Sequence, residues 1–320
     1  MHSDDTDAAR AFLAPGIAEP NVAVLGGNGF IGREITRMLA ADVPVRVVDR
    51  SLPASVEGVD GMSADLSDPA AVARALDGCS AVVYAVGAML PAESTADPVA
   101  DITATLTPLI NVLEHLKTRP GVRLVFLSSG GTIYGNPTQL PVPESHPTQP
   151  ISSYGVLKLT AEQYIRMYAT LYGVDTRILR VANAYGPGQP VGRSQGVIAN
   201  FVDALYRAYP ITIFGDGRNV RDYIHVSDVA SAVVSAVITD GPLVANVATG
   251  IGTSTLQLIS HLEEISGRSL EVNFLPARPY DVDAIVLDAA AYRAMVGHEP
   301  RPLADGLVEV VEATFSSVRV

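Results

Sequence analysis

Cysteine and tryptophan are almost missing from this chain. Cys79 is the single cysteine among 320 residues, and there is no tryptophan. One cysteine forms no intramolecular disulfide and no cysteine-based metal cluster, so nothing indicates an oxidising compartment. Because Cys79 borders an apolar run, we predict that it is a small buried hydrophobic residue. The six histidines lack the paired spacing of metal ligands, and we predict no metal site.

Positive charge is also scarce. Lys and Arg number 22 against 34 Asp and Glu, which gives a formal net charge of -12 at pH 7. This balance disfavours nucleic acid and anionic membrane surfaces, because both are bound mainly through their phosphates. An arginine that binds an anionic ligand must therefore act locally against the overall charge.

Long apolar runs are absent as well. Stretches such as 79–91 fall short of the roughly 20 residues that a membrane-spanning helix needs. The acidic N-terminal residues lack the cationic start and apolar core of a signal peptide. We predict a soluble, cytoplasmic protein with no membrane partner, in which residues 1–20 form a flexible arm.

The chain does contain 48% hydrophobic residues, arranged as short runs between helical patterns. Apolar runs without alternation are typical of strands buried on both faces. We therefore predict an α/β fold with a Rossmann-type doubly wound parallel sheet. The predicted strands are 22–25, 45–49, 81–86, 124–127 and 176–181, and the predicted helices between them are 30–41, 69–77, 98–118 and 153–172.

The pattern changes after residue 181. Turn-rich stretches and shorter strands follow, with helical patterns near 195–207, 227–239, 255–266 and 303–316. We predict a first domain over 21–181 and a smaller α/β lobe over 182–320 that binds the substrate. No low-complexity linker separates them, so we expect the chain to cross back to the first domain.

A glycine-rich segment follows the first predicted strand. Gly26, Gly29 and Gly32 are spaced G-x-x-G-x-x-G at the start of a predicted helix, with Phe30 and Ile31 between the last two. Glycines permit a tight turn and bring the backbone close to a pyrophosphate, and the helix N-terminus offers its amides to the anion. This arrangement predicts a dinucleotide-binding site.

The second predicted strand ends in Asp49, about 20 residues after the glycines, where a carboxylate accepts hydrogen bonds from both adenosine ribose hydroxyls. Asp49 favours NAD over NADP, although Arg50 could pair with a 2′-phosphate. Asp65 and Leu66 are predicted at the adenine edge, while Asp65 could equally cap a helix. Further predicted cofactor contacts are Ala85 and Val86.

Tyr154 and Lys158 open another predicted helix. Their i, i+4 spacing stacks the two side chains on one helix face. A lysine ammonium there can lower the pKa of the phenol from about 10, which a general base working near neutral pH requires. Ser128 and Ser129 lie at the end of the predicted strand 124–127, ahead of this helix. Together with the glycine motif, the pair predicts a catalytic site that also contacts the cofactor.

Five stretches resemble the extended short-chain dehydrogenase/reductases, and among them the NAD-dependent nucleotide-sugar epimerase/dehydratase family. They are 26–32, 125–135, 153–158, 180–187 and 221–228. The resemblance implies that Tyr154 takes a proton from a sugar hydroxyl while hydride passes to NAD, and that Lys158 also binds the nicotinamide ribose. The 4-keto sugar would take the hydride back on its other face.

The activity that this resemblance implies is 4-epimerisation of a UDP-sugar of the UDP-glucose/UDP-galactose type. A UDP-hexuronate or a UDP-N-acetylhexosamine stays open as substrate, and a 4-keto-sugar reductase on the same scaffold is the alternative. The resemblance also implies a homodimer.

The stretch 125–135, the strand-end motif, distinguishes the branches of the family. Its 4,6-dehydratases carry an acidic pair where this chain has Gly131 and Thr132, and neither residue can exchange the protons that loss of water requires. Dehydration is therefore disfavoured. The hydroxyl residue that usually assists the tyrosine aligns with Gly130. We predict that Thr132 and Ser129 replace it, although the serines could also only satisfy backbone groups at the strand end.

Phosphates need fixed cations, and Arg221 and Arg278 lie in contexts that resemble the family's pyrophosphate contacts. Asn183 matches the family's asparagine that contacts the sugar nucleotide. Arg193 lies in the loop that is expected to cover the sugar, where it could bind a hexuronate carboxylate or be solvated. The other predicted substrate contacts are Val197, Asn200 and Tyr223.

Overall fold

A computed structural model describes residues 21–51, 58–87, 94, 96–192, 196–241, 243–278 and 281–316. The predicted arm and Arg193 lie outside these residues. The strands are β1 (Val22–Leu25), β2 (Val45–Asp49), β3 (Val59–Ser63), β4 (Ala81–Tyr84), β5 (Arg123–Ser129), β6 (Asp175–Val181), β7 (Asn183–Tyr185), β8 (Ile211–Phe214), β9 (Val220–His225), β10 (Val244–Val247), β11 (Gly252–Ser254), β12 (Val272–Leu275) and β13 (Ala284–Ile285). The helices are α1 (Phe30–Leu39), α2 (Pro69–Ala75), α3 (Pro98–Leu116), α4 (Gly130–Ile133), α5 (Ser153–Tyr172), α6 (Val197–Arg207), α7 (Val226–Ile238), α8 (Thr255–Ser266), α9 (Ala290–Val296) and α10 (Leu303–Ser316).

Seven parallel strands form the main sheet, in the order β10-β6-β5-β4-β1-β2-β3. The chain moves outward from β1 in one direction through β2 and β3, and in the other direction from β4 onward. This reversal of strand order beside β1 opens a crevice at the carboxyl ends of the strands, where ligands of such sheets bind. The predicted doubly wound, Rossmann-type sheet is confirmed.

Helices cover both faces of this sheet because alternate residues of each strand point to opposite sides. Val24 belongs to a core cluster with Ile35 of α1 and Val229 of α7. Leu25 belongs to the cluster on the other face, which includes Leu109 of α3 and Ile165 of α5. All four residues of β1 and of β4 are buried, as a strand covered on both faces requires.

A smaller lobe follows β6. Its strands β7, β9, β11 and β13 form one sheet, and β8 pairs with β12. A separate core of α6, α8 and α10 contains residues such as Phe201, Leu258 and Leu307. Between these elements the chain returns to the first sheet, since β10 pairs with β6 and α7 packs on its face. The two parts are therefore interleaved along the sequence.

Where polar residues follow an apolar run, a strand can extend beyond its predicted end. β5 continues through Ser128 and Ser129, which pair with Arg180 and Val181 of β6. The prediction, which rested on apolar residues alone, ended this strand too early, because backbone pairing does not depend on the side chain.

Cys79 is 5% exposed, as predicted. Among the described helices, none has the length and apolar character that crossing a bilayer needs.

Candidate active site

The turn between β1 and α1 has no room for side chains at two of its glycines. Gly26 has a φ of 80°, and a Cβ there would lie 2.9 Å from the carbonyl oxygen of Ala85. A Cβ on Gly32 would come within 3 Å of the Gly26 carbonyl oxygen. The Gly29 N–H donates to that same oxygen at 3.0 Å and closes the turn. Positions 26 and 32 therefore require glycine.

Helix α1 begins at this turn with an uncapped N-terminus. Gly29 is its N-cap residue and supplies no side-chain hydrogen bond, and the first turn contains no acidic residue. The first N–H groups of a helix, here including those of Phe30 and Ile31, have no partner within the helix and carry partial positive charge. This end of α1 fits a pyrophosphate.

Asp49 lies beside the same turn at the end of β2. Its Oδ2 accepts a hydrogen bond from the Asn28 N–H at 3.2 Å, and its Oδ1 accepts one from the Arg50 N–H at 2.7 Å. Each carboxylate oxygen has further lone pairs, so the group can also accept from ribose hydroxyls. Arg50 itself is exposed.

Asp65 and Leu66 differ in their exposure to solvent. Leu66 is buried in the core, whereas Asp65 is exposed and accepts a hydrogen bond from the Ser67 N–H at 2.9 Å. The interpretation of Asp65 as a helix cap is wrong. Asp68 caps α2 instead, accepting from the Ala70 N–H at 2.9 Å, because only it directly precedes the helix. An adenine contact at 65–66 stays a prediction.

Ala85 and Val86 follow β4. They lie between the turn that joins β1 to α1, the glycine turn, and α5, the catalytic helix that carries Tyr154 and Lys158. The Ala85 N–H donates to the Leu25 carbonyl at 2.9 Å, which holds this segment against β1. Val86 lines a small cavity together with Tyr154 and Lys158. The predicted cofactor residues at the ends of β1 and β4 and the predicted catalytic pair thus lie along one edge of the sheet.

Tyr154 and Lys158 lie in the first two turns of α5, whose N-cap Ser152 accepts a hydrogen bond from the Gly155 N–H. Lys158 is 7% exposed. Its Nζ lies 5.8 Å from the centroid of the Tyr154 ring and donates to the Leu127 carbonyl at 3.0 Å. The i, i+4 spacing therefore places the ammonium near the phenol, with a backbone carbonyl as its direct partner.

Burial controls the pKa of both groups. It raises the pKa of Tyr154 to about 12, although a hydrogen bond donated by the Ser129 hydroxyl lowers that pKa, and the charge of Asp101 raises it further. Burial lowers the pKa of Lys158 to about 8, against the charges of Asp101 and Glu162. The expected lowering of the phenol pKa by Lys158 is wrong for the protein alone, because loss of hydration outweighs an ammonium that is held by a backbone carbonyl.

Gly130 has no room for the hydroxyl that the family usually has there. A Cβ at this position would come within 3 Å of the Leu287 Cδ1 and would lie 3.0 Å from the Arg180 carbonyl oxygen. Leu287 is fully buried and belongs to a core cluster with Ile133 of α4. A buried leucine therefore takes the space that a side chain at Gly130 would need.

The two predicted replacements for this hydroxyl lie in different surroundings. Ser129 ends β5 and hydrogen-bonds Tyr154. The Oγ1 of Thr132 is buried and has no hydrogen-bond partner among the described residues. The structure thus brings Ser129 to the phenol, while Thr132 shows no contact of that kind.

A buried network behind the catalytic helix was missed by the sequence reasoning. Glu162 is fully buried, accepts from the Ser128 hydroxyl at 2.6 Å and pairs with Arg180 at 2.7 Å. Arg180 also donates to the Tyr134 hydroxyl at 2.9 Å. The network joins α5 to β5 and β6. The available signal was that Glu162 follows Lys158 at i+4 and so shares its inward helix face.

Asn183, Arg221 and Tyr223 lie on the paired strands β7 and β9. Asn183 pairs in register with Tyr223, and its Nδ2 donates to the Asp222 carbonyl at 3.1 Å. Its side chain lies 3.7 Å from where a Cβ of Gly131 would be, so it borders the strand-end motif. Burial lowers the pKa of Arg221, whereas Tyr223 is buried in the lobe core.

The remaining predicted substrate residues lie within the smaller lobe. The guanidinium of Arg278 stacks on Phe214, with its Cζ 3.4 Å from the ring centroid. Val197 begins α6, and Asn200 in its first turn accepts a hydrogen bond from the Gly192 N–H at 2.8 Å. Within the described ranges, no three His, Cys, Asp or Glu side chains are grouped to hold a metal ion.

Comparison with known proteins assigns the family. Residues 22–248 match the model of the NAD dependent epimerase/dehydratase family. The chain belongs to this family. The predicted family, the NAD cofactor and an enzyme of the epimerase type are thereby confirmed.

Relatives of this epimerase/dehydratase match it over most of their length. The UDP-glucose 4-epimerase of Mycolicibacterium smegmatis is 32% identical over 305 residues, which cover 90% of this chain and 96% of the relative. The dTDP-4-dehydro-6-deoxyglucose reductase of Escherichia coli is 27% identical over 306 residues, with 91% and 96% covered.

Solved structures agree in fold. The UDP-glucose 4-epimerase of Thermotoga maritima with UDP-glucose has a TM-score of 0.87 at 32% identity, covering 93% of this chain and 99% of that one. The UDP-glucose 4-epimerase of Thermus thermophilus in complex with NAD has a TM-score of 0.86, with the same identity and coverage.

Proposed function

We propose that this chain is an NAD-dependent 4-epimerase of a UDP-sugar, of the UDP-glucose/UDP-galactose type. The observation that carries the proposal is the group formed by Tyr154, Ser129 and Lys158 at the edge of the sheet, beside the glycine turn. Gly131 and Thr132 provide no acid and base for dehydration. The three UDP-glucose 4-epimerases at 32% identity support the same activity.

The glycine turn is the part of the site that fits NAD. Gly26 and Gly32 let the backbone approach a pyrophosphate, the N-terminus of α1 offers its amides, and Asp49 accepts from ribose hydroxyls. Bound NAD would supply the acceptor, and then the donor, of the hydride at carbon 4 of the sugar. Lys158 would hold the nicotinamide ribose.

Tyr154 is the general base of the proposed reaction. A phenol whose pKa is about 12 stays protonated at neutral pH, so Tyr154 needs a further positive charge beside it to accept the sugar proton. The oxidised nicotinamide ring carries such a charge. Ser129 donates a hydrogen bond to the phenolate and takes the place of the hydroxyl that Gly130 lacks. When hydride returns, Tyr154 gives the proton back to the sugar oxygen.

The lobe over 182–320 is the proposed sugar-nucleotide site. Arg221 and Arg278 would bind the diphosphate, since both are cationic and their stems are held by the fold. Asn183 would contact the sugar nucleotide next to the strand-end motif. The proposed contacts around the nucleoside are Val197, Asn200 and Tyr223.

An epimerase assay without added cofactor tests the proposal. Purified protein should interconvert UDP-glucose and UDP-galactose, followed by chromatography, and should release NAD when denatured. Tyr154→Phe should lower turnover about 10²- to 10⁴-fold while the NAD content stays the same, because only the base is lost. A panel of UDP-, dTDP- and GDP-sugars, including UDP-glucuronate and UDP-N-acetylglucosamine, then identifies the substrate.

A 4-keto-sugar reductase is the second candidate, favoured by the 27% identity to the Escherichia coli reductase. A reductase consumes NADH or NADPH in stoichiometric amounts and exchanges it at each turnover. Such consumption, without interconversion of any sugar epimers, would overturn the epimerase proposal.

A further inference from the structure

One buried carboxylate near the catalytic helix has no part in the proposed mechanism. Asp101 lies in the first turn of α3 and is 1% exposed. Its Oδ1 accepts a hydrogen bond from the Thr105 hydroxyl at 2.8 Å. Its Oδ2 is buried and has no hydrogen-bond partner among the described residues. Burying such a group without a partner costs free energy, so its presence calls for a functional reason.

Asp101 belongs to the surroundings of the catalytic pair. Thr105, its hydrogen-bond partner, lines the same small cavity as Tyr154 and Lys158. Helix α3 packs against α5. The rest of the cavity wall is formed by Tyr84, Val86, Leu109, Phe126, Leu157 and Ala161. This wall is mainly apolar, and charges in such surroundings interact more strongly than in water.

The negative charge of Asp101 acts on both members of the pair, since it raises the pKa of Tyr154 and also that of Lys158. Glu162 is the other carboxylate that acts on Lys158, but it forms an ion pair with Arg180. Among the described residues, no cation lies within ion-pair distance of Asp101. Its charge therefore has no ion-pair partner of its own in the described part of the chain, and it acts on the positive charge of Lys158 at the catalytic site.

We propose that Asp101 is the counter-charge of the catalytic site. Its carboxylate stabilises the ammonium of Lys158 and, resting on the proposed function, would stabilise the oxidised nicotinamide ring whose ribose Lys158 would hold. By favouring the positively charged ring, Asp101 favours the return of hydride to the sugar. The 4-keto sugar is then short-lived and stays bound until epimerisation is complete.

Two neutral variants test this role in the holoenzyme, Asp101→Asn and Asp101→Ser. Both variants lose the carboxylate charge, but they differ in size and hydrogen bonding. An effect that appears in both is therefore caused by the loss of the charge. Asp42→Asn, at an exposed position, is the matched control. The first readout is the ratio of reduced to oxidised cofactor in the protein equilibrated with UDP-glucose, measured from the absorbance of reduced nicotinamide. We expect this ratio to rise about tenfold in both variants and to stay constant in the control.

The second readout needs no sugar. Phenolate absorbance is titrated in each protein with and without Tyr154→Phe, and the difference isolates Tyr154. We expect the pKa of Tyr154 to fall in both neutral variants, because Asp101 raises it. Circular dichroism checks that each variant is folded.

An unchanged cofactor ratio together with an unchanged Tyr154 titration, in either folded variant, would overturn the counter-charge role. Failure of the proposed function looks different, since the wild-type protein would then interconvert no UDP-sugar. In that case the titration alone decides whether Asp101 acts on the catalytic pair.

Discussion

The glycine turn and the sugar-nucleotide lobe are constructed from different parts of the chain. At Gly26 and Gly32, neighbouring backbone atoms lie within 3 Å of where a Cβ would be, so the pyrophosphate part of the proposed cofactor site is made of main chain. The proposed substrate contacts are side chains, such as Asn183 and Arg221 on β7 and β9. A backbone site tolerates few substitutions, whereas a side-chain site can change one contact at a time. Related enzymes can therefore share the cofactor and differ in the sugar.

The largest effect is expected for Gly32→Ala, which tests whether the cofactor site depends on the backbone. The new methyl group would approach the Gly26 carbonyl to within 3 Å, so the turn would have to open. We expect the NAD content of the purified protein to fall below about a tenth of the wild-type value and the free energy of unfolding to fall by about 3 kcal/mol or more. NAD released on denaturation and urea unfolding measure these effects.

Gly241→Ala is the control for this variant. A Cβ at that position would meet no atom within 4 Å, so both quantities should stay close to wild type. Retention of full NAD content by Gly32→Ala would show that the turn adapts, and the contrast between the backbone site and the side-chain site would be lost.

The next effect concerns the hydroxyl that assists Tyr154. We expect Ser129→Ala to lower kcat about 100-fold, because the phenolate loses a charge-assisted hydrogen bond. Thr132→Val, which replaces a hydroxyl without a described partner, should change kcat less than about threefold. Rates at saturating UDP-sugar distinguish the two variants. A larger loss for Thr132→Val would assign the role to Thr132 instead.

Sequence patterns predict the glycine turn and the bounds of α5 well, because both depend on residues that are close together in the chain. The exclusion of a side chain at Gly130 could not be predicted in this way. It depends on Leu287, which is far from Gly130 in the sequence and comes close to it only in the folded structure. The same holds for Asp101, since its proximity to Tyr154 arises from the packing of α3 against α5.

Charges were harder to predict than positions. The spacing of Tyr154 and Lys158 placed both side chains on one helix face, but it carried no information about hydration. Burial then raised the pKa of the phenol, opposite to the expected direction. Asp65 is a different case, because the predicted helix 69–77 already had Asp68, and not Asp65, directly before it. In the structure Asp68 is the N-cap residue of α2.

A smaller effect is expected in the side-chain site. Arg221→Ala should raise the KM for the UDP-sugar about tenfold, because one proposed contact to the diphosphate is lost. The kcat and the NAD content should stay nearly unchanged, because the glycine turn stays intact. Arg218→Ala removes an exposed arginine from the neighbouring turn and serves as the control. Loss of NAD from Arg221→Ala would contradict the separation of the two sites.

The smallest effect, about 1 kcal/mol in the free energy of unfolding, is expected for a substitution of Lys158 in the catalytic pair. The pKa of Lys158 is about 8 in the folded protein against 10.5 ordinarily, so the unfolded chain binds more protons between these pH values, and the wild-type protein gains stability as the pH rises from 8 to 10.5. Lys158→Met removes this dependence. Below pH 8, burying the protonated ammonium costs the wild-type protein roughly 3 kcal/mol of stability, and Lys158→Met avoids this cost. The variant also lacks the hydrogen bond to the Leu127 carbonyl, which offsets part of the gain. At pH 7 the variant should therefore be more stable by the difference between the two. Urea unfolding between pH 6.5 and 10.5 should show that advantage disappearing at high pH, with Lys117→Met as control. A variant less stable than wild type at pH 7 would mean that the hydrogen bond to the backbone carbonyl outweighs the cost of burying the ammonium.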